Sequence, residues 1–119
     1  MHEIGIATAI VDAVHAESAR VGGLAPISVG VRIGEFAAVD PEALRFAFEV
    51  ITRGTDLENL SLKIEICPHR RRCAACGYVF EVNDGVLECP LCSALESRCA
   101  GGDELELAYL EVEDEPPAA

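Results

Sequence analysis

The sequence predicts an α+β fold, two helices on a small mixed β-sheet, with a cysteine-rich module inserted before the last strand. Two observations predict the frame: two stretches carry apolar residues at helical spacing, and three carry them in alternation. A third predicts the insert: all six cysteines fall between Cys67 and Cys99, with none in the first 66 residues.

The elements follow in order. Over residues 4–21, Ile4, Ala7, Ile10, Val11, Val14 and Ala19 recur on one face, away from Glu3, Asp12, Glu17 and Ser18, which predicts a helix. Gly22-Gly23 ends it. Ile27, Val29, Val31 and Ile33 alternate with small or charged residues as a half-buried strand does, and Gly34 closes it. Asp40-Pro41-Glu42 is a helix start: Asp40 can cap free N–H groups, and Pro41 suits the first helical position. Leu44, Phe48 and Ile51 line one face of this helix over 41–53, with Phe46, Ala47 and Val50 widening it, and Arg53-Gly54 stops it. Leu62, Ile64 and Ile66 alternate as a second strand over 61–66. This β-α-β unit makes the two strands parallel if they are neighbours. Residues 104–113, with Leu105, Leu107, Leu110 and Val112, form a third strand whose place in the sheet stays open. The predicted domains are 1–66 plus 103–113, a separate module at 67–102, and an acidic, Pro-containing flexible tail at 114–119.

Composition narrows the function. A formal net charge of -12 excludes a broad nucleic-acid or anionic-membrane surface, which needs surplus Lys and Arg. Half of the residues are hydrophobic, so this is not a disordered acidic chain. The apolar stretch Ile4 to Ala16 is not a signal core, since His2-Glu3 replaces a basic lead-in and Asp12 interrupts it. No run reaches the ~18 apolar residues that span a bilayer. The expectation is a cytoplasmic protein with reduced thiols, where clustered cysteines bind metal more often than they pair. There is no Ser-His-Asp set, Gly-rich phosphate loop or convincing carboxylate pair, so no enzyme is expected.

Cys73-Ala-Ala-Cys76 and Cys89-Pro-Leu-Cys92 are two C-x-x-C pairs, and each can sit on a tight knuckle aiming two thiolates at one point. Four sulfurs make the closed tetrahedral shell of structural Zn(II), which leaves no open position for catalysis. Gly77 suits the left-handed turn of a knuckle, and Asn83-Asp84-Gly85 can turn the chain back between the pairs. The insert therefore reads as a zinc-ribbon-like module whose metal replaces a core that so short a segment cannot build. Other readings are two disulfides, a rubredoxin-like iron site, and a redox C-x-x-C. The iron reading lacks the usual aromatic packing, and the redox reading lacks the strand-to-helix setting. Cys67, His69 and Cys99 read as bystanders, with a ligand swap with the four as the alternative. Arg70-Arg71-Arg72 reads as a solvated edge or as partial compensation for the zinc–thiolate charge.

His2 gains meaning from its position. A bulky second residue blocks removal of Met1, so the amine stays one peptide bond from an imidazole. The amine of Met1, the amide and imidazole nitrogens of His2 and the amide of Glu3 can supply four in-plane nitrogens. That field suits Ni(II) or Cu(II). Such a site is solvent-exposed and binds as protons leave, which fits transfer better than storage.

Met1-His2-Glu3 opens an amphipathic helix. Val31-Arg32-Ile33-Gly34-Glu35, Leu44-Arg45-Phe46-Ala47-Phe48-Glu49, the two C-x-x-C pairs and Gly102-Asp103-Glu104-Leu105 follow in order. Together, across essentially the whole chain, they resemble the HypA/HybF family of nickel metallochaperones. The resemblance implies nickel bound transiently at Met1, His2 and Glu3, support of that site by Glu3 and Asp40, and structural zinc on Cys73, Cys76, Cys89 and Cys92. It also implies work in [NiFe]-hydrogenase maturation, in some organisms urease supply, with a HypB-type GTPase, the hydrogenase large subunit precursor and urease maturation proteins as partners. Departures from the family pattern are Cys67, Cys99 and Ser93, the last standing where a glycine often follows the second pair. The alternative function is a small rubredoxin-like or zinc-ribbon redox or interaction protein.

Overall fold

The computed structural model describes residues 2–113. In chain order the elements are α1 (Glu3–Arg20), β1 (Pro26–Gly34), a 3-10 turn (Glu35–Ala37), α2 (Pro41–Thr52), β2 (Ser61–Cys67), β3 (Arg70–Cys73), β4 (Val79–Glu81), β5 (Ser97–Gly101) and β6 (Leu105–Val112). They form two three-stranded sheets, ordered β2-β1-β6 and β4-β3-β5. The described residues divide into two compact units, one of residues 2–32, 39–65 and 106–113 and one of residues 33–38 and 66–105. The predicted tail at 114–119 lies outside the described residues.

The first unit has two helices packed on each other beside the β2-β1-β6 sheet. Part of each predicted helix face forms its core: Ala7, Ile10 and Val14 from α1, and Leu44, Ala47 and Phe48 from α2. Ile4, Ala19, Phe46 and Val50 are instead exposed, and Glu3, expected off the face, is buried. Val29 and Val31 of β1 and Leu62 of β2 are buried as well. Each of the buried Val, Leu, Ile and Phe side chains, taken fully from water, contributes about 1.5–3 kcal/mol. Leu57 and Leu60 extend this core from the turn after α2, a region with no periodic pattern in the sequence.

The helix ends follow local chemistry. At the start of α2 the Asp40 carboxylate accepts the N–H of Glu42 at 3.0 Å and of Ala43 at 3.4 Å, with Pro41 in the first turn. The two glycines after α1 take φ of +90° and +77°, which only glycine adopts without strain. The third strand, unplaced by sequence, sits beside β1 and makes β1 the central strand. On the polar face of β1, Ser28 donates to Glu111 at 2.8 Å and Arg32 pairs with Glu65 and Glu106, each at 3.4 Å. No helix among the described residues is long and apolar enough to cross a membrane.

The second unit corrects one expectation. Arg70 and Arg72 are solvated, but Arg70-Arg71-Arg72 is not an edge: it lies in β3, the central strand of the second sheet, antiparallel to β4 and β5. Arg71 donates to the Ser97 hydroxyl at 2.5 Å and to its carbonyl at 2.6 Å. Three adjacent charges concealed the strand because its pairing is made by the main chain, on both sides, and not by an alternation of apolar side chains. The unit's core is small, with Phe80, Cys73 and Cys89 buried and Val82 and Ala94 packed against them.

Candidate metal centre

Two repeats of one turn build the centre. In the first, Cys73 N–H donates to the Tyr78 carbonyl at 2.9 Å and Gly77 N–H to the Cys73 carbonyl at 2.9 Å. In the second, Cys89 N–H donates to the Ala94 carbonyl at 3.0 Å and Ser93 N–H to the Cys89 carbonyl at 2.9 Å. The two knuckles therefore share one hydrogen-bond pattern, offset by 16 residues in sequence. The residue after each second cysteine must be left-handed, and Gly77 has φ +78° while Ser93 has φ +67°. Ser93 thus takes the glycine-like conformation at the cost of strain.

The four Sγ atoms of Cys73, Cys76, Cys89 and Cys92 all lie within 4.8 Å of one another. Cys73 and Cys92 are 3.5 Å apart, and Cys76 and Cys89 3.6 Å. A tetrahedral zinc with Zn–S bonds of about 2.3 Å needs sulfur–sulfur edges of about 3.8 Å. The cluster therefore fits a zinc ion, with four thiolates and no open position for a reacting ligand.

Thiol acidity in the metal-free cluster is uneven. The Cys76 N–H, which donates to the Cys73 sulfur at 3.4 Å, leads the groups that bring the Cys73 thiol down to about 6. Cys92 goes the other way. The Ala94 N–H stabilises its thiolate, but Cys73, burial and the remaining two sulfurs outweigh it and push the thiol up to about 12. Cys76 is also raised: the Tyr78 N–H opposes the rise, while burial and the Cys89 and Cys73 sulfurs drive it. Four thiolates at these distances repel, and a divalent cation removes that repulsion.

Cys67, His69 and Cys99 are not in the cluster. Cys67 ends β2, and Cys99 lies exposed on β5 with its Sγ 3.5 Å from the Gly101 carbonyl. The His69 ring stacks on Phe36 at 4.6 Å, and its main-chain N–H donates to Glu35 at 2.8 Å. No sequence pattern announced that pairing, because Phe36 and His69 are far apart in the chain.

The remaining candidates lie in the first unit. His2 is exposed and precedes α1, its carbonyl accepting the Ile6 N–H at 3.0 Å. Glu3, only 7% exposed, accepts the Asp40 main-chain N–H at 3.2 Å. Met1 lies outside the described residues.

Comparison with known proteins adds the family. The family described as hydrogenase/urease nickel incorporation, metallochaperone, hypA matches residues 1–112. A hydrogenase maturation factor HypA from Picosynechococcus is 41% identical over 112 residues, 94% of this chain and 99% of that protein. The HypA factor from Chlorobium limicola is 42% identical over 115 residues, 96% of this chain and 98% of its own length. The solution structure of the Ni metallochaperone HypA from Helicobacter pylori shares the fold, with TM-score 0.68 and 24% identity, over 97% of this chain and all (100%) of that one. A second HypA solution structure gives TM-score 0.74 at 24% identity, over 97% of this chain and 98% of that one. The chain belongs to the HypA family of nickel metallochaperones, accessory factors of hydrogenase maturation rather than enzymes.

Proposed function

We propose that the chain binds Ni(II) at Met1, His2 and Glu3 and hands it on for [NiFe]-hydrogenase maturation. Cys73, Cys76, Cys89 and Cys92 hold a structural zinc that keeps the second unit folded. The observation that carries the nickel reading is the setting of His2. Its residue is exposed immediately before α1, and the next residue, Glu3, is buried with its carboxylate on the Asp40 N–H. One side of the chain start is thus anchored while the imidazole side is open to cargo and to a receiving protein. Asp40 supports the site by fixing the segment that holds Glu3. The receiving partners are a HypB-type GTPase and the hydrogenase large subunit precursor, with urease maturation proteins where that enzyme is served. The compartment is the cytoplasm, where the four thiols stay reduced.

Titration calorimetry tests the nickel site on the untagged protein and on His2→Ala. The variant should lose nickel affinity, and equal affinity in both would remove the assignment. The amino terminus must be free, since a leading residue takes away the amine ligand. Zinc content tests the other site, which should fall in Cys73→Ser and Cys89→Ser. The rubredoxin-like alternative requires a red iron–thiolate protein, whereas the zinc protein is colourless.

A further inference from the structure

The four sulfurs of the cluster are not equally placed. In each knuckle the first cysteine is buried, Cys73 and Cys89 each at 2% exposure, and the second, Cys76 or Cys92, is exposed. Two sulfur contacts each join the exposed cysteine of one knuckle to the buried cysteine of the other: Cys92 to Cys73 at 3.5 Å, and Cys76 to Cys89 at 3.6 Å. Within the cluster, an oxidant arriving from solvent therefore meets Cys76 or Cys92 first. The sulfur lying against the one it attacks belongs to the opposite turn.

We propose that this exposed edge is an oxidation site, at which hydrogen peroxide converts the four thiolates into two disulfides across the knuckles, Cys76–Cys89 and Cys73–Cys92, and so releases the zinc. The inference rests on the zinc reading above. The chemistry balances. Peroxide transfers one oxygen to an exposed thiolate; with one proton taken up, this leaves a sulfenic acid and one water. The adjacent buried thiolate attacks that sulfur, the S–O bond breaks, and the hydroxide leaves with a second proton as water. Each sulfur pair loses two electrons to one peroxide. Two peroxides and four protons thus turn four thiolates into two disulfides and four waters. The metal is lost because the thiolate is the ligand and a disulfide sulfur is not.

The separation of the pairs in sequence makes the disulfide pattern readable. Cleavage after Arg72, Glu81, Glu88 and Glu96 puts Cys73 and Cys76 on peptide 73–81, apart from Cys67, and Cys89 and Cys92 on peptide 89–96. The full-length zinc-loaded protein is treated with hydrogen peroxide, its released zinc is followed with a chromogenic chelator, and the quenched sample is digested without reduction. The expected result is loss of one zinc per chain and a joined 73–81/89–96 species four hydrogens lighter than its parts. Its fragments, cut between the two cysteines of each peptide, should link Cys76 to Cys89 and Cys73 to Cys92. Links of Cys73 to Cys89 and Cys76 to Cys92 would overturn the pairing. Separate peptides, each two hydrogens lighter, would mean closure within the knuckles and would overturn the pairing. Retention of zinc with all four thiols intact would overturn the oxidation site. A protein that carries no zinc before treatment fails the zinc reading instead, and its peptide map still decides the pairing.

Discussion

Asp40 ties the starts of two helices together. Its main-chain N–H donates to the buried Glu3 carboxylate at the beginning of α1, while its own carboxylate accepts the Glu42 and Ala43 N–H groups that begin α2. The two roles use different atoms and can be separated by substitution. Asp40→Ala removes the cap and should cost about 1 kcal/mol of stability. Asp40→Asn keeps a side-chain acceptor and should stay within a few tenths of a kcal/mol of the parent. The Glu3 bond has a main-chain donor and persists in both. Denaturant unfolding of the zinc-loaded protein checks the order, and equal losses in Ala and Asn would show that the cap is not what Asp40 contributes.

Most of the first unit was legible because its physics is local and periodic. Val29 and Val31 alternate inward, and Leu44 and Phe48 share a helix face; all four are buried. The cap at Asp40 was legible for the same reason. The cluster was legible because C-x-x-C spacing sets a turn within four residues, and two such turns need only approach each other. What escaped was non-local. The arginines of β3 gain their strand from pairing with Val79–Glu81 and Ser97–Gly101, which no window around residue 71 contains. Leu57 and Leu60 are buried in the turn after α2, and nothing in their spacing says so. Ser93 was legible only as a departure, and its φ of +67° explains why a glycine suits that place.

That strain gives a matched pair of predictions. A non-glycine residue in the left-handed region costs roughly 1–2 kcal/mol, while glycine adds freedom to the unfolded chain worth about 0.4–1 kcal/mol. Ser93→Gly should therefore stabilise the zinc-loaded second unit by about 0.5–1 kcal/mol. Gly77→Ala, at φ +78°, should destabilise it by about 1 kcal/mol. The midpoint of chelator-driven zinc loss reads both, and a lower midpoint for Ser93→Gly would show that the serine contributes a contact outweighing the strain.

The thiol acidities set the pH dependence of metal loading. With Cys92 raised to about 12 and Cys76 raised as well, both hold protons near pH 7, whereas Cys73 at about 6 has largely lost its own. Zinc binding must expel the protons that remain. Apparent zinc affinity should thus climb with pH through the neutral range and fall below pH 6, where Cys73 protonates too. Calorimetry in buffers of different ionisation enthalpy should show release of about two or more protons per zinc at pH 7. An affinity flat from pH 6 to 8 would contradict the thiolate assignment.

Two glycines should respond to alanine in opposite directions. Gly5 lies exposed inside α1, and an added Cβ would meet nothing within 4 Å. Gly5→Ala should stabilise the first unit by about 0.5–1 kcal/mol, because alanine loses less freedom in a helix. At Gly34 the added Cβ would fall 1.9 Å from the Gly102 carbonyl oxygen and 2.0 Å from its carbon. Those atoms are main chain and cannot rotate aside. The Gly34 N–H donates to the Glu104 carbonyl at 2.7 Å and the Phe36 N–H to the Gly102 carbonyl at 2.7 Å, so the segment cannot move without breaking hydrogen bonds. Gly34→Ala should therefore cost at least the ~1–3 kcal/mol of an overpacked core. Amide hydrogen exchange at residue 34 and Phe36, the donors to Glu104 and Gly102, should rise in that variant and stay unchanged in Gly5→Ala. Parent-like protection in Gly34→Ala would mean the loop accommodates a methyl group that the close approach excludes.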